Sequence, residues 1–222
     1  MGIALAYGTS STKGNSSYAS NSNNAGLSLD KVNSNMIEVG LYNSYVADSG
    51  WYNDTILKFD YIMSEFSLSN GSGVMSETNN FAMVLSDEFG YRYSFAENEK
   101  GSWYIDPQVE VAFGYFNQSD FNRAVDSLTT LKATQDSILT LRSRIGASLG
   151  KKFTTDKGFA SLYVGASYEY DYIEGGDSGV STREGGLITQ LDKVESNGRA
   201  VLNVGSNIEL TKGARLYIDV EK

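Results

Sequence analysis

The sequence has no cysteine, no histidine, a single proline (Pro107) and no long apolar run. Without cysteine, the fold does not rest on disulfides. Without histidine or cysteine, zinc centres of the His/Cys kind, thiol catalysis and a Ser-His-Asp triad are excluded. No apolar stretch approaches the roughly 18 residues of a helical membrane span. A span built of strands stays open, because alternating side chains average out in a hydropathy window. Basic residues are also scarce: 18 Lys and Arg against 27 Asp and Glu give a formal net charge of −9. That is the wrong sign for nucleic acid, which needs a basic footprint. Nor does Met1 open a secretory leader. The residues after it, GIALAYG, lack a basic n-region and a cleavage site and already alternate. Either the chain is not exported through a signal of its own or, the preferred expectation, it is a piece of a longer protein.

What is present is glycine, 23 residues, and aromatic side chains, 15 Tyr and 10 Phe, among 222 residues. Residues 81–118 show how they are used. Phe81, Met83, Leu85, Phe89, Tyr91, Tyr93 and Phe95 occupy odd positions, and Ser86, Glu88, Gly90, Arg92 and Ser94 even ones. A period of two marks a strand with one apolar and one polar face. After a short turn at 97–101, Trp103, Ile105, Val109, Val111, Phe113 and Tyr115 oppose Asp106, Gln108, Glu110, Gly114 and Gln118. Each arm runs roughly 13 to 16 residues, against about 5–6 for an ordinary strand. Long two-faced strands suit an outer-membrane barrel, with one face on lipid and one on a polar lumen.

The same alternation predicts strands at 1–8, 36–47, 51–66, 137–153, 159–171, 193–210 and 214–222, about nine in all with the two arms. A further start near 27–32 is marked before the second. The Ser/Asn/Gly tract 9–24 is predicted to be a long mobile loop, for want of apolar content. Segments 67–78, 120–136 and 172–192 are also predicted loops, with leucines in the second leaving room for a short helix. The connections then sort: short at 48–50, 97–101, 154–158 and 211–213, each carrying a glycine, and long at 9–35, 67–78, 120–136 and 172–192. All short turns fall at one end of the sheet, as in outer-membrane barrels with short periplasmic turns and long extracellular loops. A soluble β-sandwich uses the same alternation for its core but gives no reason for this sorting.

Several segments, in this order, resemble the translocator domain of bacterial autotransporters, the type V secretion systems. MIEVGLYNSYVADSGWYNDTILKFDYIMSEF (36–66) is similar to the family's glycine–x–tyrosine strand, short turn and aromatic strand. GSWYIDPQVEVAFGYF (101–116) is similar to its tryptophan-to-proline strand, LRSRIGASLGKKF (141–153) to its Arg–x–Gly strand, and NGRAVLNVGSNIELTKGARLYIDVEK (197–222) to its penultimate hairpin. The resemblance implies an all-β, transmembrane, antiparallel up-and-down barrel over 1–222, with about nine of the family's twelve strands present. A lumenal linker helix, the first two strands and a last strand ending in an aromatic residue are not found here. It further implies a monomeric outer-membrane anchor that exports an N-terminal passenger, an adhesin or enzyme, without ATP or cofactor. Its partners would be outer-membrane lipid, its own passenger and linker helix, the barrel-assembly machinery and periplasmic chaperones. The alternative is a stand-alone adhesin or porin-like barrel.

Charged residues are expected on the lumen side: Lys58, Asp60, Glu88, Arg92, Glu110, Arg142, Arg144, Glu169, Arg199 and Glu209, with Asp54, Arg215 and Asp219 beside them. A charge on the lipid face costs roughly 2–4 kcal/mol at the midplane. These residues would either line a path for an unfolded chain or stiffen the wall as cross-strand ion pairs. Glu88 and Glu110, one on each arm, could also be read as a hydrolase's acid and base should their strands be adjacent. With no histidine the expectation is no enzyme, no catalytic residue and no metal. Phe59, Tyr61, Phe89, Tyr91, Phe113 and Tyr168 are expected on the lipid side, with Tyr93, Phe95, Trp103 and Tyr170.

Overall fold

The computed structural model describes residues 1–13, 28–69, 75–124, 130–155, 158–182, 186–191, 193, 195–211 and 214–222. Every regular element among them is a strand: β1 (Gly2–Lys13), β2 (Ser28–Val46), β3 (Trp51–Ser69), β4 (Met75–Tyr91), β5 (Tyr93–Asn98), β6 (Gly101–Phe116), β7 (Ser119–Ala124), β8 (Thr130–Gln135), β9 (Ile138–Thr155), β10 (Gly158–Gly175), β11 (Ser178–Thr182), β12 (Leu187–Leu191), β13 (Asn197–Thr211) and β14 (Ala214–Glu221).

The main sheet is an antiparallel meander in the order β1-β2-β3-β4-β6-β9-β10-β13-β14, with β5 pairing β6 in continuation of β4. Nine positions across agree with the nine strands read from alternation. Among the described residues β1 pairs only with β2 and β14 only with β13. Because each strand pairs with the next long strand, the short turns share one end of the sheet and the long connections the other. Gly50 shows why a turn needs glycine. Its φ is +99°, and a Cβ there would sit 2.5 Å from the Arg92 carbonyl oxygen, whose own amide donates to the Gly50 carbonyl at 2.8 Å.

The arm expected to run unbroken from 81 to 95 is interrupted at Arg92. Gly90 still faces Gln108 and Tyr93 faces Ile105, so the register is unchanged across the gap. The positions without ladder partners on β6, Tyr91 and Arg92, lie opposite Pro107 and Asp106, and Pro107 has no N–H to give to a ladder. Ala96, with φ +51°, then bulges the chain before the turn.

The long connections are more ordered than composition suggests. The tract expected to be loop from residue 9 is strand as far as Lys13, laddered residue for residue onto 31–35 of β2. Backbone pairing with an ordered neighbour offsets the lack of apolar side chains there; the remainder of that predicted loop, 14–24, lies outside the described residues. β3 and β4 likewise extend to Ser69 and from Met75. Segment 120–136 holds the hairpin strands β7 and β8 instead of a helix; its middle, 125–129, is outside the described residues. Segment 172–192 continues β10 to Gly175 and then forms β11 and β12, while β13 begins at Asn197. These four short strands make a second sheet in the order β12-β11-β8-β7. The side chain of Asn117 fastens the junction, accepting from the Phe81 amide at 2.6 Å, and β7 packs beside β4. Of the predicted short turns, 156–157 and 212–213 lie outside the described residues.

Among the described residues there is no dry interior. Among the described residues the buried hydrophobic side chains are Tyr104 and Val201, at 5% and 6% exposure, while Ile145 and Val220 stand 64% and 67% exposed. Thr78, Asn80, Asp106, Ser161 and Glu169 are the buried polar side chains. A soluble sandwich would show the reverse.

Candidate functional site: the concave polar face

Alternation puts one side chain in two of every strand on the polar face, and register then lines them up across the sheet. Asp54, Glu88, Glu110, Arg144, Glu169 and Arg199 occupy consecutive partner positions on β3, β4, β6, β9, β10 and β13. Arg144 reaches two carboxylates, Glu88 at 2.5 Å and Glu110 at 2.7 Å. Ser86 also donates to Glu110, at 2.6 Å. Arg199 pairs with Glu169 and, at 3.0 Å, with Asp171, which also receives Arg142 at 2.7 Å. Like charges meet directly at Glu88 and Glu110, which alone would be destabilising. The guanidinium between them answers that repulsion. It also occupies the space an acid–base pair would need, so the geometry fits an ion-paired wall and not a hydrolytic dyad.

Toward the turn end, Asp106 is buried beneath Arg92, which donates through Nε at 3.0 Å and Nη2 at 2.5 Å. The same guanidinium lies 4.6 Å above the Tyr104 ring, so charge pairing and cation–π contact hold it together. Lys58 reaches Glu38 at 3.4 Å, and Asp60 faces Glu38 across the β2–β3 ladder. Glu209, on β13 near the turn end, packs against Gly158 of the neighbouring β9–β10 hairpin. All ten charged residues expected on one face therefore share it, and nine of them, all but Glu209, lie in this mesh.

The face also holds tyrosines that the expected lumen-side residues did not include. Tyr104 faces Gly150, and Tyr163 faces Gly205. Tyr52 faces Gly90, and Tyr42 faces Gly2. Each ring lies flat over its glycine: a Cβ at Gly150 would come within 2.3 Å of the Tyr104 ring. The phenol tips complete the polar mesh. Tyr52 donates to Gln108 at 3.2 Å, and Tyr163 donates to Asp219 at 2.5 Å. The signal for these was glycine at the facing position, visible only once the register is known.

This face is concave. A cavity of about 840 Å³ is lined by polar side chains from β3 across to β14, among them Tyr52, Asp54, Arg144, Tyr163 and Asp219. The opposite face carries Phe59, Phe89, Phe113 and Tyr168, all exposed, with Tyr61 also exposed and Tyr91 half-buried. Trp51 stacks on Phe89 at 5.0 Å and meets Tyr91 at 4.5 Å, and Phe59 stacks on Phe81 at 6.2 Å. It is not free of charge: Asp87 sits there, accepting from Asn53 at 3.0 Å and Thr55 at 2.7 Å.

A curled antiparallel meander with a charged hollow side and an exposed apolar side is a transmembrane β-barrel architecture. The chain belongs to the autotransporter β-domain family, whose family model matches residues 1–221. It is 28% identical over 184 residues to the serine protease EatA of Escherichia coli O78:H11, covering 82% of this chain and 13% of that protein. It is 27% identical over 189 residues to the pertactin autotransporter of Bordetella parapertussis, covering 83% of this chain and 19% of that protein. The chain thus spans less than a fifth of the length of these relatives, and the word protease names proteins of which the matching part is small. The crystallised β domain of the Bordetella autotransporter BrkA shares the fold, with a TM-score of 0.66 at 21% identity over 87% of this chain and 68% of that one. The family is one of the bacterial outer membrane.

Proposed function

We propose that this chain is the membrane-embedded wall of an autotransporter translocator, which anchors in the outer membrane and exports an N-terminal passenger. Phe59, Tyr61, Phe89, Tyr91, Phe113 and Tyr168 face lipid. Lys58, Asp60, Glu88, Arg92, Glu110, Arg142, Arg144, Glu169, Arg199 and Glu209 face a hydrated lumen. Long loops lie outside the cell and short turns in the periplasm. The barrel works as a monomer, holds its own linker helix, and is inserted by the barrel-assembly machinery with periplasmic chaperones.

The observation that carries this reading is the inverted dressing of the sheet, apolar where exposed and charged where hollow. Buried polar atoms support it further. Asp54 Oδ1, Asp60 Oδ1, Asp106 Oδ1 and Arg144 Nε are buried without a hydrogen-bond partner among the described residues. Left dry, each would cost about 1–3 kcal/mol; a water-filled lumen removes that cost. Mixed charge also suits passage, since no single sign would retain a polypeptide. The matched relatives are autotransporters, which favours this reading over a stand-alone adhesin or porin-like barrel.

The test is topology in intact cells. In the full-length protein, an epitope inserted between residues 14 and 27 is expected to be removed by external protease. An epitope at 48–50 is expected to survive until the outer membrane is breached. Survival of the first, or loss of the second in intact cells, would overturn the orientation. A passenger epitope ahead of Met1 that never reaches the surface would overturn the export role.

A further inference from the structure

Lys151 and Lys152 are neighbours on β9 but stand on opposite faces. Lys152 lies on the concave side, its ammonium 4.9 Å from the Phe159 ring. Lys151 lies on the apolar side, near the short-turn end, directly across the ladder from Trp103 on β6 and Leu162 on β10. Its ammonium is 5.2 Å from the Trp103 ring and 5.2 Å from the Phe153 ring. Phe95, across from Trp103, extends this aromatic floor. Among the described residues no carboxylate forms an ion pair with Lys151.

Ring faces attract an ammonium but accept its N–H donors only weakly. Lys151 is therefore held low on the surface with its three N–H donors still available to a stronger acceptor. Directly toward the middle of the sheet lie the exposed side chains of Ile105, Leu149 and Val164, partnered in one row across β6, β9 and β10. A pinned cation above a strip of aliphatic side chains matches a molecule with an anionic head and a hydrocarbon tail.

We propose that Lys151, with Trp103 and Phe153, forms a docking site for the phosphate of an anionic phospholipid in the leaflet at the short-turn end. The proposal rests on the reading that the apolar face meets lipid. The phosphate oxygens accept from the ammonium, the rings flank the glycerol region, and one acyl chain lies along Ile105 and Leu149. Lys152, on the other face, takes no part.

The test uses the full-length protein in mixed micelles, with Trp51→Phe leaving Trp103 as the tryptophan of this region. Phosphatidylglycerol and phosphatidylcholine with brominated chains are titrated in turn, and Trp103 quenching reports lipid at the site. Phosphatidylglycerol is expected to quench at about tenfold lower mole fraction, corresponding to about 1.4 kcal/mol. Lys151→Gln should abolish that preference; Lys151→Arg and Lys152→Gln should keep it. Inorganic phosphate in millimolar amounts should not compete. Equal quenching by both lipids, or a preference untouched by Lys151→Gln, would overturn the site while leaving the lipid-facing reading intact. Displacement of phosphatidylglycerol by inorganic phosphate would make it a simple anion site and overturn the lipid proposal. No quenching of Trp103 by either lipid would instead defeat the underlying reading.

Discussion

Ala112 and Phe113 are adjacent on β6 and differ in almost everything that follows from which way they point. Ala112 is partnered by Ser86 and Arg142 and lines a second hollow of about 430 Å³ on the polar side. Phe113 is partnered by Leu85 and Leu141 and stands exposed among aliphatic side chains. On the hollow side, stability comes from ion pairs, tyrosine tips and rings laid over glycines. On the other side nothing among the described residues covers the apolar surface. If, as proposed, the two faces meet different solvents, a given substitution should have opposite consequences on them.

The largest effect is expected at Arg144. Arg144→Met leaves Glu88 and Glu110 facing each other, a loss of about 3 kcal/mol. The low end applies because the Arg144 and Glu88 side chains keep 22% and 19% exposure. Adding Glu88→Gln should return part of it. Urea midpoints of the folded barrel in vesicles, read by tryptophan fluorescence, measure both. Next comes the adjacent pair itself. Phe113→Arg should cost roughly 2–3 kcal/mol, as a charge within the lipid band does. Ala112→Asp, beside Arg142, should stay within about 1 kcal/mol. Equal losses at the two positions, by the same urea assay, would erase the contrast.

A smaller effect tests how the hollow side packs. Gly150→Ala pushes a methyl into the Tyr104 ring and should cost about 1–3 kcal/mol. Tyr104→Leu in the same chain should recover much of that loss, and refolding yield and urea midpoint together would show it. The smallest is expected in the second sheet, where Lys132 meets Asp120 at 3.8 Å with both exposed. Lys132→Ala should shift the midpoint by less than about 0.5 kcal/mol.

Alternation alone was enough to separate Glu88 from Phe89 and Arg142 from Leu141, because the period of two is a local property. The sorted turn lengths likewise gave the meander. What stayed hidden depends on partners distant in sequence. The gap in pairing with β6 at Tyr91 and Arg92 has its counterpart in Pro107 on that strand. Alternation puts Tyr104 on the polar face with Asp106, but that Gly150 leaves room for its ring only the register reveals. Residues 9–13 and the short strands β7, β8, β11 and β12 look like loop by composition; they are strand because another segment completes their ladders. The double grip of Arg144 joins residues on β4, β6 and β9, which no spacing in the sequence announces.

The central claim is that the two faces meet different solvents. The chain has no cysteine, so a cysteine placed along β6 is the single labelling site within it, and the full-length protein without that cysteine is the control. In lipid vesicles, a water-soluble maleimide should label positions 108, 110 and 112 and spare 109, 111 and 113. Labelling of the odd positions with protection of the even ones would contradict the account.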